Sequence, residues 1–304
     1  MKQHLLAIVV LLGCLLTSCS NTDMADGPQN PATRSSETEV LDLRDFGIVH
    51  NKIMDFAQTC VIADSTAIFC LPFAERVNYF HPILKTNIEA FLENTSIQEL
   101  ALEVKGTMDS YKPYYGTYID EHFMDPIDNL KINGELVKGS DLLEQAINSG
   151  RVPKEDLSIL KRLIAIAVET DDTTPLPEIS DRLQIIMNNS SHINALTRHE
   201  NLNHMRIKDY KGLLGSICLE IGIYSCNWWT SSYTLQNENS PQRIAPWVAA
   251  LALRDVRGAI RSSLLHILTC ASLGKEVTLH GVGTSAINGA LHSSIGGIIK
   301  YLAL

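Results

Sequence analysis

Two histidines flank a glutamate in His199-Glu200-Asn201-Leu202-Asn203-His204, residue types that hold zinc and activate its water. A helix brings two such ligands onto one ion at i and i+4. Here the spacing is i+5, which turns the second ring ~140° from the first. His192 and His199 share a face but stand ~10 Å apart. Surface histidines are expected, and no metal or cofactor is assigned. Asp120, Glu121, Asp125 and Asp128 lack the spacing of a calcium loop and read as a solvated acidic segment. Leu273-Gly274-Lys275-Glu276 misses both the earlier glycine and the following hydroxyl of a phosphate loop. Neither Gly283-Thr284-Ser285 nor Gly215-Ser216 completes a nucleophile elbow. No catalytic residue is assigned. A non-catalytic protein is expected, with a hydrolase whose catalytic groups are dispersed along the chain as the alternative.

Two aromatic groups carry binding chemistry. Tyr111, Tyr114, Tyr115 and Tyr118 crowd around Pro113 and Gly116, and Tyr224, Trp228, Trp229 and Tyr233 lie among Ser, Thr and Asn. Ring faces beside hydroxyls and amides suit a sugar or a protein hot spot. Tyr111, Tyr114, Tyr115, Tyr118, Trp228 and Trp229 are therefore the candidate binding residues, for a glycan or protein ligand. The same composition suits the edge of a core with polar tips reaching water, and that is the preferred expectation. Cys60, Cys70, Cys218, Cys226 and Cys270 form no C-x-x-C pair, so thiols acting as small hydrophobes are expected. One disulfide among them stays open.

Near the start, Leu5–Leu16 is a run of 12 residues without charge or proline. That is too short to span a bilayer and suits the core of a signal peptide. It ends in Leu16-Thr17-Ser18-Cys19. This resembles the lipobox of bacterial lipoproteins: an aliphatic residue, two small residues, then cysteine. The resemblance implies removal of residues 1–18, lipid on the Cys19 thiol, and attachment to a bacterial membrane of the cell envelope, expected to be the outer one. Acyl chains anchor by burying CH₂ groups at ~0.8 kcal/mol each, and stable anchoring takes more than one chain. Residues 20–39 hold no large hydrophobe but Met24, and include Gly27, Pro28 and Pro31. They read as a disordered tether of roughly 25 Å. Residues 19–39 are thus anchor and tether, and residues 40–304 the globular body. The net charge of −9 comes with no basic patch, which argues against a nucleic-acid partner.

The elements of the body read as mainly α, in one helical bundle. Asp45 is placed to cap a helix with Phe46, Val49, Ile53, Phe56 and Ala57 on one face. Its opening, Gly47-Ile48-Val49-His50-Asn51, resembles a Gly-x-x-His-Asn helix start of uncharacterised bacterial proteins, which implies no known activity. Residues 72–94 read as helical with a break at Pro82. Ser96 with Glu99, and Asp141 with Glu144, read as capping boxes. Asn133-Gly134 predicts the turn of one small β-hairpin near 130–137. Helical periodicity continues over 154–169, from Pro177 through Met187, over 206–226 and over 245–272.

Residues 244–304 read as a C-terminal helical hairpin. Its second helix carries small residues at every fourth position: Gly281, Ser285, Gly289, Ser293 and Gly297. Ile287, Leu291, Ile295 and Ile299 form an apolar stripe, and His280, Thr284, Asn288, His292 and Lys300 a polar one. The 5 glycines within 281–297 cost ~0.8–1 kcal/mol each relative to alanine. Only close packing can offset that, and a small-xxx-small stripe permits it. The stripe resembles the glycine-zipper tails of some bacterial envelope proteins and bacteriocin-like peptides, which implies a membrane-active hairpin as a further alternative. Asn288 and His292 at mid-helix, and Arg254, Asp255, Arg257 and Arg261 on the neighbour, favour a packed core. The expected function is that of a membrane-anchored, non-catalytic binding or structural module of the cell envelope.

Overall fold

The computed structural model describes residues 42–88, 95–111, 126–132, 135–138, 141–169, 174–189, 206–236 and 246–301. Among them the chain is mainly helical. The helices are α1 (Leu43–Ala63), α2 (Ser65–Phe69), α3 (Phe73–Asn87), α4 (Thr95–Tyr111), α5 (Leu142–Asn148), α6 (Asp156–Glu169), α7 (Leu176–Asn189), α8 (Leu213–Gln236), α9 (Pro246–Ser272) and α10 (Leu279–Tyr301).

Local chemistry sets several boundaries, with some changes from the sequence expectations. The cap of α1 is Asp42, whose carboxylate accepts the Arg44 amide at 2.9 Å. Asp45 occupies the third helical position and accepts the Asp42 amide at 2.8 Å. The two acids form a reciprocal capping box, with Asp45 in the partner role rather than the cap. Pro82 does not break α3 but lies inside it. Helix α4 opens at Thr95, one residue before the expected cap Ser96. Asp141 caps α5 by position only, because its backbone is already α-helical and its side chain bonds no terminal amide. Gly150, Gly212 and Gly274 take φ of 68°, 79° and 65°, left-handed values that side chains with a Cβ resist. At Gly274 the turn is a Schellman motif: Lys275 N–H reaches the Cys270 carbonyl at 2.8 Å and Gly274 N–H reaches Ala271 at 3.1 Å. At Gly212 the same conformation divides a short 3₁₀ turn (Ile207–Asp209) from α8. The single helix expected over 206–226 is therefore two elements, and the second runs on to Gln236.

The β-hairpin expected near 130–137 is not supported as part of this helical architecture. Backbone pairing between Pro126–Ile132 and Glu135–Lys138 is antiparallel, but its register slips between Pro126 and Lys131. Among the described residues no third strand joins this pair, and a two-stranded ribbon alone is marginal in water.

The C-terminal helix α10 is the centre of the bundle. It packs on α9, α1, α4, α8 and α3, and its described side chains are buried along nearly its whole length. Each stripe of the sequence meets a different neighbour. The glycines of the small-residue stripe face α9, antiparallel to it: Gly281 lies over His266, Gly289 over Gly258 and Ser262, and Gly297 over Leu251. On another side the Phe46 ring of α1 lies directly on Gly283. A single apolar cluster runs from Leu43 and Phe46 through Ile217 and Val256 to Ile299. Each fully buried large side chain in it contributes ~1.5–3 kcal/mol.

Arg76 of α3 ties the end of α10 to the bundle. Its guanidinium donates to the carbonyls of Leu71 at 2.7 Å, Phe69 at 3.2 Å and Ile299 at 3.2 Å, and it stacks 5.2 Å above the Phe69 ring. Arg76→Met keeps the stem but removes every donor. It is expected to lower stability by about 2–3 kcal/mol, read as a lower urea midpoint at unchanged m-value. An unaltered midpoint would show that solvent satisfies these carbonyls equally well.

Candidate functional site

The described residues bring serine, histidine and aspartate together at one place, where α1, α8, α9 and α10 cross. Asp255 lies one turn before Gly258 on α9, at the closest approach of α9 to α10. One oxygen, Oδ2, accepts three donors: the Ser225 hydroxyl of α8 at 2.5 Å, the Trp229 indole N–H of α8 at 3.2 Å, and the Ser294 hydroxyl of α10. Ser225 and Trp229 are four residues apart and share one face of α8. His50 of α1 brings Nε2 to 3.8 Å from the same oxygen. Both His50 and Asp255 are 0% exposed. Burial pushes the Asp255 carboxyl up to about 7 against the pull of its three donors. It pushes the His50 imidazole down to about 4.

The Gly47-x-x-His50-Asn51 opening acquires a physical meaning here. A Cβ on Gly47 would come within 2.5 Å of the Tyr224 ring, so glycine lets α1 lie close against α8. Asn51 Nδ2 donates to the Tyr224 carbonyl at 2.9 Å, and Asn51 Oδ1 stands 3.0 Å from His50 Nδ1. Farther along the same contact, the Trp228 indole N–H donates to Asp55 at 2.6 Å.

The composition is that of a hydrolase triad, but the wiring is different. In a serine triad the imidazole stands between hydroxyl and carboxylate and accepts from the hydroxyl. Here both hydroxyls donate to the carboxylate, and the imidazole faces the carboxylate rather than a hydroxyl. The arrangement ties four helices together through one carboxylate oxygen, with the imidazole on that oxygen and not on either hydroxyl.

A second polar seam joins α10 to α4. Glu103 accepts from His280 Nδ1 at 2.6 Å and from the Thr284 hydroxyl at 3.2 Å, and the histidine holds its carboxyl below the usual range. One turn on, Asn288 Nδ2 donates to Thr107 Oγ1 at 2.5 Å. At His292 of the same stripe, burial pushes the imidazole down to about 3. On the outer side His81 of α3 meets Asp109 of α4 at 2.9 Å, and Lys85 meets the same carboxylate. The polar stripe is therefore a helix-to-helix seam.

Trp228 and Trp229 are 6% and 2% exposed. Their rings meet edge to face at 4.9 Å, and both indole N–H groups are committed to carboxylates. Tyr111 ends α4, whereas Tyr114, Tyr115, Tyr118, Cys19 and the His199–His204 segment lie outside the described residues. The five cysteines Cys60, Cys70, Cys218, Cys226 and Cys270 are free thiols. Among the described residues no group of three or more His, Cys, Asp or Glu could hold a metal ion. Sequence reasoning missed the role of Asp255. The available signal was a lone acid among Arg254, Arg257 and Arg261 within an otherwise apolar helix. Arg257 donates to the Ala167 carbonyl in the last turn of α6.

No protein-family model, no curated protein and no solved structure matches this chain.

Proposed function

We propose that this is a lipoprotein of the bacterial cell envelope, held on a membrane through Cys19, whose helical body is a non-catalytic binding or structural module. The observation that carries the reading is the succession of an apolar run of 12 residues, Leu16-Thr17-Ser18-Cys19, and a polar stretch over 20–39. A cleavable leader, a modifiable thiol and a spacer in that order make a tethered domain. The wiring of Ser225, His50 and Asp255 supports the non-catalytic part, because the imidazole faces the carboxylate and not a hydroxyl. With both tryptophan N–H groups engaged internally, the Tyr111–Tyr118 segment is the better candidate for contact with a glycan or protein ligand. The Asn133-Gly134 dipeptide, a sequence preferred in two-residue turns, supports a small hairpin near 130–137.

A membrane-active hairpin is less well supported. No helix among the described residues is long and apolar enough to cross a membrane, and exposing Asp255, Asn288 and His292 to lipid would be costly.

Cys19→Ala tests the anchor. Wild-type cells fed an alkyne fatty acid are expected to label the protein and to retain it in the membrane fraction. The variant is expected to lose the label and to keep its uncleaved leader. Equal labelling of the two proteins would sink the proposal.

A further inference from the structure

We propose that His50 and Asp255 hold one proton between them, which keeps the junction of α1, α8, α9 and α10 uncharged and its stability indifferent to mildly acidic pH. Asn51 Nδ2 donates to the Tyr224 carbonyl, which turns Asn51 Oδ1 toward His50 Nδ1. An amide oxygen only accepts, so Nδ1 carries a hydrogen, and in a neutral ring Nε2 is then a bare lone pair. Nε2 has no hydrogen-bond partner and faces Asp255 Oδ2 at 3.8 Å. A lone pair against a bare carboxylate, both fully buried, is repulsive.

A single proton removes the conflict wherever it resides. It makes either an imidazolium beside a carboxylate or a neutral imidazole beside a carboxylic acid, and both have zero net charge. No proton leaves an unpaired carboxylate in the core, and two leave an unpaired imidazolium; each is expensive. The downward push on His50 and the upward push on Asp255 favour the acid–imidazole form, and the two groups titrate as a pair. The other charged or titratable groups acting on the carboxylate are the Cys226 thiol of α8 and Arg254 of α9 itself. α10 presents Ser294, which donates.

The consequence is a cancellation. In the unfolded chain aspartate titrates near about 3.9 and histidine near about 6.5. Between those values the unfolded pair also carries one proton, on the imidazole. Folding then neither takes up nor releases a proton from this pair, and the pair adds no pH slope to stability. Either residue alone would add one. With Asp255 neutralised, buried His50 stays unprotonated while the unfolded histidine charges, so stability is lost as pH falls. With His50 removed, buried Asp255 keeps a proton that the unfolded aspartate gives up, so stability is lost as pH rises.

The test is urea denaturation of the wild type, Asp255→Asn, His50→Gln and the double variant from pH 4.5 to 6.5. Unfolding constants are taken relative to the double variant, which cancels the remaining titrating groups. The wild-type ratio is expected to be flat. Asp255→Asn is expected to lose and His50→Gln to gain about tenfold in stability per pH unit of acidification. A wild-type ratio that moves tenfold per pH unit toward loss in acid means no proton on the pair, and toward gain means two; either overturns the proposal. Should the variants not fold, imidazole ¹⁵N NMR and the carboxylic C=O infrared band of the wild type decide. One proton across the pair is expected. A neutral imidazole with an ionised carboxylate, or an imidazolium with a carboxylic acid, overturns it.

Discussion

Gly289→Leu is expected to unfold the body or to cost about 4 kcal/mol or more, beyond the usual range of single substitutions. The reason is backbone contact between α9 and α10. A Cβ on Gly289 would fall inside the contact radius of the Gly258 carbonyl and of Ser262 Oγ; a Cβ on Gly258 would meet the Gly289 carbonyl in the same way. Peptide groups, unlike side-chain ends, cannot turn aside. The helices would have to separate, opening voids along a contact that also includes Gly281 over His266 and Gly297 over Leu251. Overpacking typically costs ~1–3 kcal/mol where side chains can adjust, and here the obstacle is main chain. Glycine's helix penalty is thus offset by an approach that no other residue permits. Gly106→Ala in α4 is the control, because nothing lies within 4 Å of its would-be Cβ. There the propensity term acts alone, and a gain of about 0.5–1 kcal/mol is expected. Thermal melts of both variants check the pair of outcomes. A mild effect at Gly289 would mean that α9 and α10 slide past one another freely.

That contrast shows where the sequence was readable. Periodicity marks the helices because burial repeats every turn: Leu160 and Leu163 of α6, and Ile179, Leu183 and Ile186 of α7, all face inward. Gly150 and Gly274 mark helix ends because the left-handed backbone is a local property. The stripes of α10 were visible, but not which neighbour each would meet, since that depends on how helices hundreds of residues apart cross. Capping was ambiguous for a local reason: Asp42 and Asp45 stand three apart, and either acid could open the helix. Pro82 passed through α3 because tertiary contacts of Phe80 and Leu84, both fully buried, outweigh one missing amide. The Asp255 junction was hidden more deeply. Its members come from four helices, and no spacing rule joins His50 to Ser294. Local sequence offered only a lone acid and a glycine–histidine–asparagine helix opening, each with simpler readings.

Asp156→Ala is expected to lower stability by about 3 kcal/mol at neutral pH, a large effect for a residue with no visible part in any motif. Asp156 opens α6 and is fully buried. Its carboxylate accepts the amides of Gly212 at 3.1 Å and Gly215 at 2.9 Å, at the start of α8. A helix N-terminus leaves amides without intrahelical partners, and here a neighbouring helix supplies the cap. Close approach makes this reach possible: a Cβ on Gly215 would come within 2.5 Å of Ile159, one turn along α6. Alanine would strand buried N–H groups at ~1–3 kcal/mol each. The pH dependence follows from the competition of burial with those donors. Burial wins, and pushes the carboxyl up to about 6, above its unfolded value of about 3.9. Between these values the native state holds a proton that the unfolded chain has released, so this group's contribution falls as pH rises through the window. The gap between wild type and Asp156→Ala should therefore widen on acidification from pH 6 toward pH 4, by at most about 1.4 kcal/mol per pH unit. Urea midpoints of both proteins across that range measure it. A gap that narrows in acid would mean that attraction to the amides of α8 outweighs burial, and that this carboxylate stays ionised within the fold.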